Sequence, residues 1–112
     1  MYNFIIFIYF MNKYFVEFVG TLILVFAVLV SSGNWVVIGA TLGVLVLLGG
    51  PSSGACYNPA VTIGGMLAKN IPTQDVLPYI VVEILGGIVG YYIYAITSKN
   101  PMTNPMNGGK KK

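Results

Sequence analysis

The chain has 112 residues, of which 56% are hydrophobic and only 8% are charged, whereas soluble domains average about 25% charged residues. A soluble fold of this size would lack the polar residues to cover its surface, so the composition predicts one small integral membrane domain. The formal charge of +3 comes from six lysines and three acids. Three of the lysines are the last three residues, so the positive charge is concentrated in a C-terminal tail and does not form a nucleic-acid-binding face.

Arginine and histidine are absent from the sequence, and Cys56 is the single cysteine. These absences exclude bidentate arginine clamps, histidine-based acid/base chemistry and an intrachain disulfide. We therefore expect no catalytic residues, no metal site, no cofactor and no enzymatic activity. Any function must come from shape, backbone groups and a few buried polar side chains.

In chain order, residues 1–11 form an apolar, aromatic segment without the basic start and cleavage site of a signal peptide, so we assign them to the mature chain. Residues 14–30 follow as the first predicted span, close to the length that crosses a hydrocarbon core of about 30 Å. A turn at 31–34 separates it from a second span, which begins at Trp35 and is predicted to end near Gly50.

A half-length helix is predicted after the second span, because Asn58 is a favoured N-cap and Pro59 a favoured first helical residue. Only about ten residues separate this start from Lys69, too few to cross a membrane. A third span is predicted from Val76 to about Thr97. The sequence thus predicts an all-α membrane protein with three transmembrane helices and one re-entrant half-helix, organised as residues 1–11, 12–97 and a polar, disordered basic tail, 98–112.

Glycines in two of the spans predict close helix packing. Gly39 and Gly43 stand one turn apart in the second span, the small-xxx-small spacing that lets helix backbones approach. Gly86, Gly87 and Gly90 supply a similar face in the third span.

The unpaired backbone groups of the half-helix predict its function. A short helix inside a bilayer leaves polar backbone groups unpaired, which is tolerated only where they line water or protein. Asn58 offers a side-chain amide donor, and the helix N-terminus carries a partial positive charge that opposes cations. Acceptors for a permeating neutral solute are then the backbone carbonyls of Gly54, Ala55, Cys56 and Tyr57. The alternative is that Asn58 only caps a surface helix.

Two motifs carry a family resemblance. The first, at 17–21, reads Glu-Phe-Val-Gly-Thr, and the second, at 53–62, reads Ser-Gly-Ala-Cys-Tyr-Asn-Pro-Ala-Val-Thr. Residues 12–97 resemble one repeat of the major intrinsic proteins, the aquaporins and aquaglyceroporins, whose members usually carry two inverted repeats. The single copy here looks like the first repeat, with the pore motif at Asn58, Pro59 and Ala60.

Departures from the family pattern affect three positions. Cys56 stands where the family has histidine, and Glu83 stands where glutamine is usual. Val61 has the position that the family's second repeat fills with arginine. Cys56 is interpreted either as reachable from the lumen or as a plain buried thiol.

Site roles follow from the resemblance. It implies that Glu17 accepts hydrogen bonds from a pore loop of the other repeat, while Glu83 plays a parallel role beside its own loop. The alternative for Glu17 is a position at the membrane interface near Lys13. Ile38 and Val61 are implied to form the constriction, unless they only pack against lipid or neighbouring residues.

The leading hypothesis is a passive channel for water or small neutral solutes such as glycerol, with the lipid bilayer as its surroundings. One repeat cannot enclose a pore, so at least two copies must associate, ideally as antiparallel homodimers or multiples of them. The lysines favour neither orientation strongly, which predicts insertion both ways. Two alternatives remain: a non-conducting truncated channel that associates with full-length relatives, and a small viroporin-like permeabiliser.

Overall fold

The computed structural model describes the backbone of residues 2–98 and the side chains of residue 3 and residues 12–98. These residues form four helices, α1 (Tyr2–Val30), α2 (Trp35–Ser53), α3 (Pro59–Leu67) and α4 (Thr73–Thr97). Three stretches are long and apolar enough to cross a membrane, namely Asn12–Val30, Trp35–Ser53 and Thr73–Thr97. The predicted all-α class with three spans is confirmed, whereas the predicted disorder at 99–112 lies outside the described residues.

The first helix is longer than the predicted span. It begins at Tyr2 and is kinked at Asn12, where φ is −154° and ψ is 40°. The backbone of residues 2–11 is therefore helical and joins the first span through this kink. The span itself starts at the kink, two residues before the predicted position.

The second helix also runs further than predicted, ending at Ser53 and not near Gly50. Pro51 lies inside its last turn, where the proline ring removes one N–H donor without stopping the helix. The helix ends where Gly54 adopts a left-handed φ of 88° and its N–H donates to the Gly50 carbonyl. This is a common helix C-terminus, with glycine supplying the positive φ.

A polar cluster ties the start of the first span to the start of α4. Lys13 Nζ lies 2.7 Å from Asp75 Oδ2, and the Tyr14 hydroxyl donates to Asp75 Oδ1 at 2.8 Å. Asp75 is in the first turn of α4, which begins at Thr73, three residues earlier than predicted. Lys13 and the α3–α4 connection therefore lie at the same end of the bundle.

Close packing joins α1 to α4 through two glycines. A Cβ atom added to Gly86 would lie 2.5 Å from the Phe18 carbonyl oxygen, and one added to Gly90 would lie 2.6 Å from that of Leu22. Gly39 and Gly43, predicted to form a similar face on α2, have no atom within 4 Å of the added Cβ. That prediction is wrong within the described chain, because their face of α2 has no packed neighbour.

Replacing Gly86 by alanine is expected to destabilise the bundle by about 1–3 kcal/mol, because its Cβ would overlap backbone that cannot rotate away. Gly87 is the matched control, since a Cβ there meets only the Val25 Cγ2 atom at an ordinary 3.7 Å. Thermal unfolding in detergent measures both variants. Equal losses for Gly86→Ala and Gly87→Ala would contradict the packing described.

Much of α2 is open to its surroundings. The helix packs mainly on α1, and Trp35, Leu47 and Leu48 are 82%, 74% and 71% exposed. Long apolar side chains at this level of exposure are compatible with lipid or with another protein chain. A single copy of the described fold therefore presents open apolar faces.

Candidate functional site

The segment joining α2 to α3 has an unusual backbone. Gly54, Ala55 and Tyr57 all have positive φ angles, of 88°, 53° and 55°. The left-handed conformation costs a non-glycine residue about 1–2 kcal/mol. Ala55 and Tyr57 must therefore be held in place by contacts from the surrounding helices.

Glu17 of α1 provides the main contacts. Its Oε1 accepts from the Tyr57 N–H at 2.7 Å, and its Oε2 accepts from the Cys56 N–H at 2.9 Å and the Ser53 hydroxyl at 2.7 Å. The Ala55 N–H donates in turn to Ser53 Oγ at 3.0 Å. Three successive backbone N–H groups are thus directed toward one fully buried carboxyl group, directly or through Ser53.

This geometry corrects both earlier interpretations of Glu17. The loop that Glu17 holds is its own, not that of another repeat, because α1 passes directly behind the α2–α3 connection. A position at the interface beside Lys13 is also wrong, since Glu17 is 0% exposed and Lys13 pairs with Asp75.

The carbonyl groups of the same segment are left without donors. Among the described residues, no hydrogen bond is made to the carbonyl oxygens of 54–57. Gly54 and Cys56 line an open cavity of about 410 Å³ together with Val61 and Gly64 of α3. The segment therefore borders a cavity with its N–H groups satisfied and its acceptors available.

Asn58 begins α3 as its N-cap, with Pro59 as the first helical residue. Its side-chain Oδ1 accepts from the Ala60 N–H at 2.7 Å. This bond fixes the orientation of the amide and leaves the Nδ2 group as a donor on an exposed side chain.

Glu83 lies on the buried face of α4, only 1% exposed. The Thr62 hydroxyl of α3 donates to its Oε2 at 2.7 Å. Glu83 thus attaches the half-helix to α4, while Glu17 attaches the preceding loop to α1. Thr62, which the sequence reasoning did not single out, is the partner on α3.

Tyr57 holds the loop by a second route that sequence reasoning missed. Its hydroxyl donates to the Leu45 carbonyl at 2.7 Å. Its ring occupies the space beside two glycines, so that a Cβ at Gly20 would lie 2.0 Å from Tyr57 Cε1 and one at Gly49 2.0 Å from the hydroxyl. Gly20 belongs to the motif at 17–21. A glycine at this position was the sequence signal that another side chain packs against α1 there.

Tyr79 is a further missed residue. It is 2% exposed, and its hydroxyl donates to the Ser53 carbonyl at 2.7 Å. The end of α2 is thereby bonded to α4 as well as to α1. Its role was not predicted, because its partner is a backbone carbonyl distant in sequence.

Only one of the two proposed constriction residues lines the cavity beside α3. Val61 is 51% exposed and lines the cavity with Cys56. Ile38 is half-buried on α2 and is not among the lining residues of that cavity. Cys56 has a 7% exposed side chain, so the thiol is buried although the residue borders the cavity.

A second cavity of about 300 Å³ opens at the Lys13–Asp75 end of the bundle. It shares three lining residues, Gly54, Asn70 and Ile71, with the cavity beside α3. The two cavities are therefore neighbours along the half-helix. Together they run from the polar end of the bundle to the loop that Glu17 holds.

Comparisons with known proteins show the family of the chain. Residues 7–111 match the family described as Major intrinsic protein, and the chain belongs to that family. It is therefore an integral, multi-pass membrane protein. No solved structure gives a significant match.

Several curated proteins are similar to the chain. A glycerol uptake facilitator protein of Streptococcus pneumoniae is 36% identical over an alignment of 115 positions, which covers 88% of this chain and 49% of the relative. A glycerol uptake facilitator-like protein of Lactiplantibacillus plantarum is 36% identical over 87 residues, 70% of this chain and 40% of the relative. The protein named Aquaporin AqpM of Methanothermobacter marburgensis is 39% identical over 66 residues, which cover 55% of this chain and 27% of the relative. The chain spans half or less of the length of these relatives.

Proposed function

We propose that the chain is a passive channel subunit for water or small neutral solutes such as glycerol, and that its pore forms only when copies associate. The carrying observation is the loop at 54–57, where Glu17 and Ser53 bind the N–H groups of residues 55–57 while no described residue donates to the loop carbonyls. A row of free acceptors beside a donor, Asn58, suits a solute that both donates and accepts hydrogen bonds.

The aliphatic side chain of Val61 supports a pore that admits solutes less polar than water. It borders the same cavity as the loop and brings no charge to it. The similarity to proteins named glycerol uptake facilitators points the same way. Glycerol, with an apolar carbon backbone and three hydroxyls, fits a wall with one apolar and one hydrogen-bonding side.

Association is required because one copy supplies only part of a wall. Both cavities are open, and α2 leaves large apolar side chains uncovered. An antiparallel pair would place two half-helices end to end near the membrane midplane, as inverted repeats do within longer transport proteins. We propose this homodimer, or a multiple of it, as the conducting form.

The distribution of charge is compatible with insertion in both directions. Lys13 is paired with Asp75 at the end of the bundle that also holds Lys69, and the remaining lysines follow α4. Neither end thus has a strong excess of lysines close to a span. A thiol tag at the C-terminus in a Cys56→Ser background should react with impermeant reagent from both sides of the membrane. Labelling from one side only would rule out the antiparallel pair.

Stopped-flow light scattering of liposomes containing this chain alone tests the proposed function against its alternatives. A channel is expected to raise water or glycerol permeability above that of empty liposomes without releasing ions. No increase would favour a non-conducting protein that associates with full-length relatives. Ion leakage would favour a viroporin-like permeabiliser.

A further inference from the structure

Two carboxyl groups meet behind the loop, and no cation of the described chain accompanies them. Glu17 of α1 and Glu83 of α4 are 0% and 1% exposed. Glu17 accepts from the Cys56 N–H of the loop and Glu83 from the Thr62 hydroxyl of α3, so the two side chains face the same short segment and interact with each other. Of the two described lysines, Lys13 is bonded to Asp75 and Lys69 is exposed beyond the end of α3. The other titratable group facing Glu83 is the Cys56 thiol of the loop, while α2 and α3 contain no titratable side chain.

Hydrogen-bond donors are divided unequally between the two carboxyl groups. Glu17 accepts three bonds, from Ser53, Cys56 and Tyr57. Glu83 accepts one, from Thr62 on Oε2, the Asn58 backbone N–H also faces it, and its Oε1 is buried without a partner. More donors therefore reach Glu17 than Glu83.

The count of acceptor sites leaves room for one more donor at Glu17. A carboxylate has about four lone-pair sites, and Glu17 uses three of them. Its Oε1 accepts only from the Tyr57 N–H. Glu83 Oε1 is buried without a partner, and a proton on that atom would make it a donor to Glu17.

We propose that Glu83 is a neutral carboxylic acid in the folded protein and that its Oε1–H donates to the Glu17 carboxylate. Glu83 is then a positioning residue for the pore loop: it accepts from Thr62 with one oxygen and donates to Glu17 with the other. The arrangement joins α1, α3 and α4 through a single buried proton. The Glu17 carboxylate then accepts from four donors, and a neutral Glu83 adds no second buried charge.

Infrared spectroscopy of the full chain in a detergent without ester groups tests this assignment, because a protonated carboxyl group has a C=O stretch that a carboxylate lacks. We expect this band in the wild type at neutral pH and its loss in Glu83→Gln. Asp75→Asn is the matched control, since Asp75 is equally buried but is paired with Lys13, so the band should persist. Absence of the band in the wild type, or its survival in Glu83→Gln, would overturn the proposal.

A second measurement distinguishes hydrogen-bond donation by Glu83 from the filling of space by its side chain. Glutamine reproduces both contacts, with an N–H donor for Glu17 and an oxygen acceptor for Thr62, whereas alanine reproduces neither. Alkylation of Cys56, whose N–H is bonded to Glu17, should be as slow in Glu83→Gln as in the wild type and at least about tenfold faster in Glu83→Ala. Equal acceleration in both variants would contradict a donor role. Neither measurement depends on whether the chain conducts.

Discussion

Replacing Glu17 by alanine is expected to release the loop at 54–57 and to abolish most solute flux. The change removes the acceptor for the Ser53 hydroxyl and for the N–H groups of Cys56 and Tyr57. Buried donors left unpaired cost about 1–3 kcal/mol each. With three such donors, a loss of about 3 kcal/mol or more in the free energy of unfolding follows, and the left-handed conformations of Ala55 and Tyr57 are no longer imposed.

Cys56 reports on this release because it is the single cysteine of the chain and is buried in the wild type. Its alkylation by a small maleimide should accelerate at least about tenfold in Glu17→Ala, as expected for a segment that opens locally. Asp75→Asn is the control, since it weakens a buried carboxylate cluster at the end of the bundle and not at the loop. A rate in Glu17→Ala no higher than in Asp75→Asn would show that Glu17 does not hold the loop.

The Asn58→Ala variant is expected to lose nearly all solute flux while keeping its fold and its assembly. The side chain makes one capping bond, to the Ala60 N–H, whose loss costs about 1 kcal/mol. Its Nδ2 donor has no described partner in the chain, so removing it affects a permeating solute more than the protein. Flux is measured in liposomes, and assembly by cross-linking or light scattering in detergent.

Asn34 provides a matched control for Asn58. It caps α2 in the same way, accepting from the N–H groups of Val36 and Val37, but lies in the α1–α2 turn. Asn34→Ala should therefore show a similar loss of thermal stability with unchanged flux. If both variants retained flux, the proposed role of Asn58 would be wrong, and its function would be that of an ordinary helix cap.

Sequence patterns predicted the helices better than the contacts between them. The start of α3 at Pro59 follows from local rules, because an asparagine N-cap and a proline at the first position act through their own backbone. The end of α2 was misplaced because Pro51 in a last turn costs only one hydrogen bond. Local signals of this kind mark where a helix prefers to end, and tertiary contacts then move the boundary.

The site depends on contacts that no local pattern marks. That Glu17 needed buried partners was predictable from a charge inside a span, but its actual partners are backbone N–H groups about 40 positions away. Tyr57 and Tyr79 contact carbonyl groups, which every residue possesses. Such contacts depend on how three helices pack, and the identity of the side chain does not reveal them.

The central claim is that two half-helices from two copies form one pore, and co-reconstitution tests it most directly. Wild-type chains and Asn58→Ala chains are mixed in equal amounts before assembly, with total protein held constant. If a pore needs an asparagine from both copies of a closed pair, flux should fall to about a quarter of the wild-type value. Flux of about half, the result for chains that conduct independently, would contradict the account.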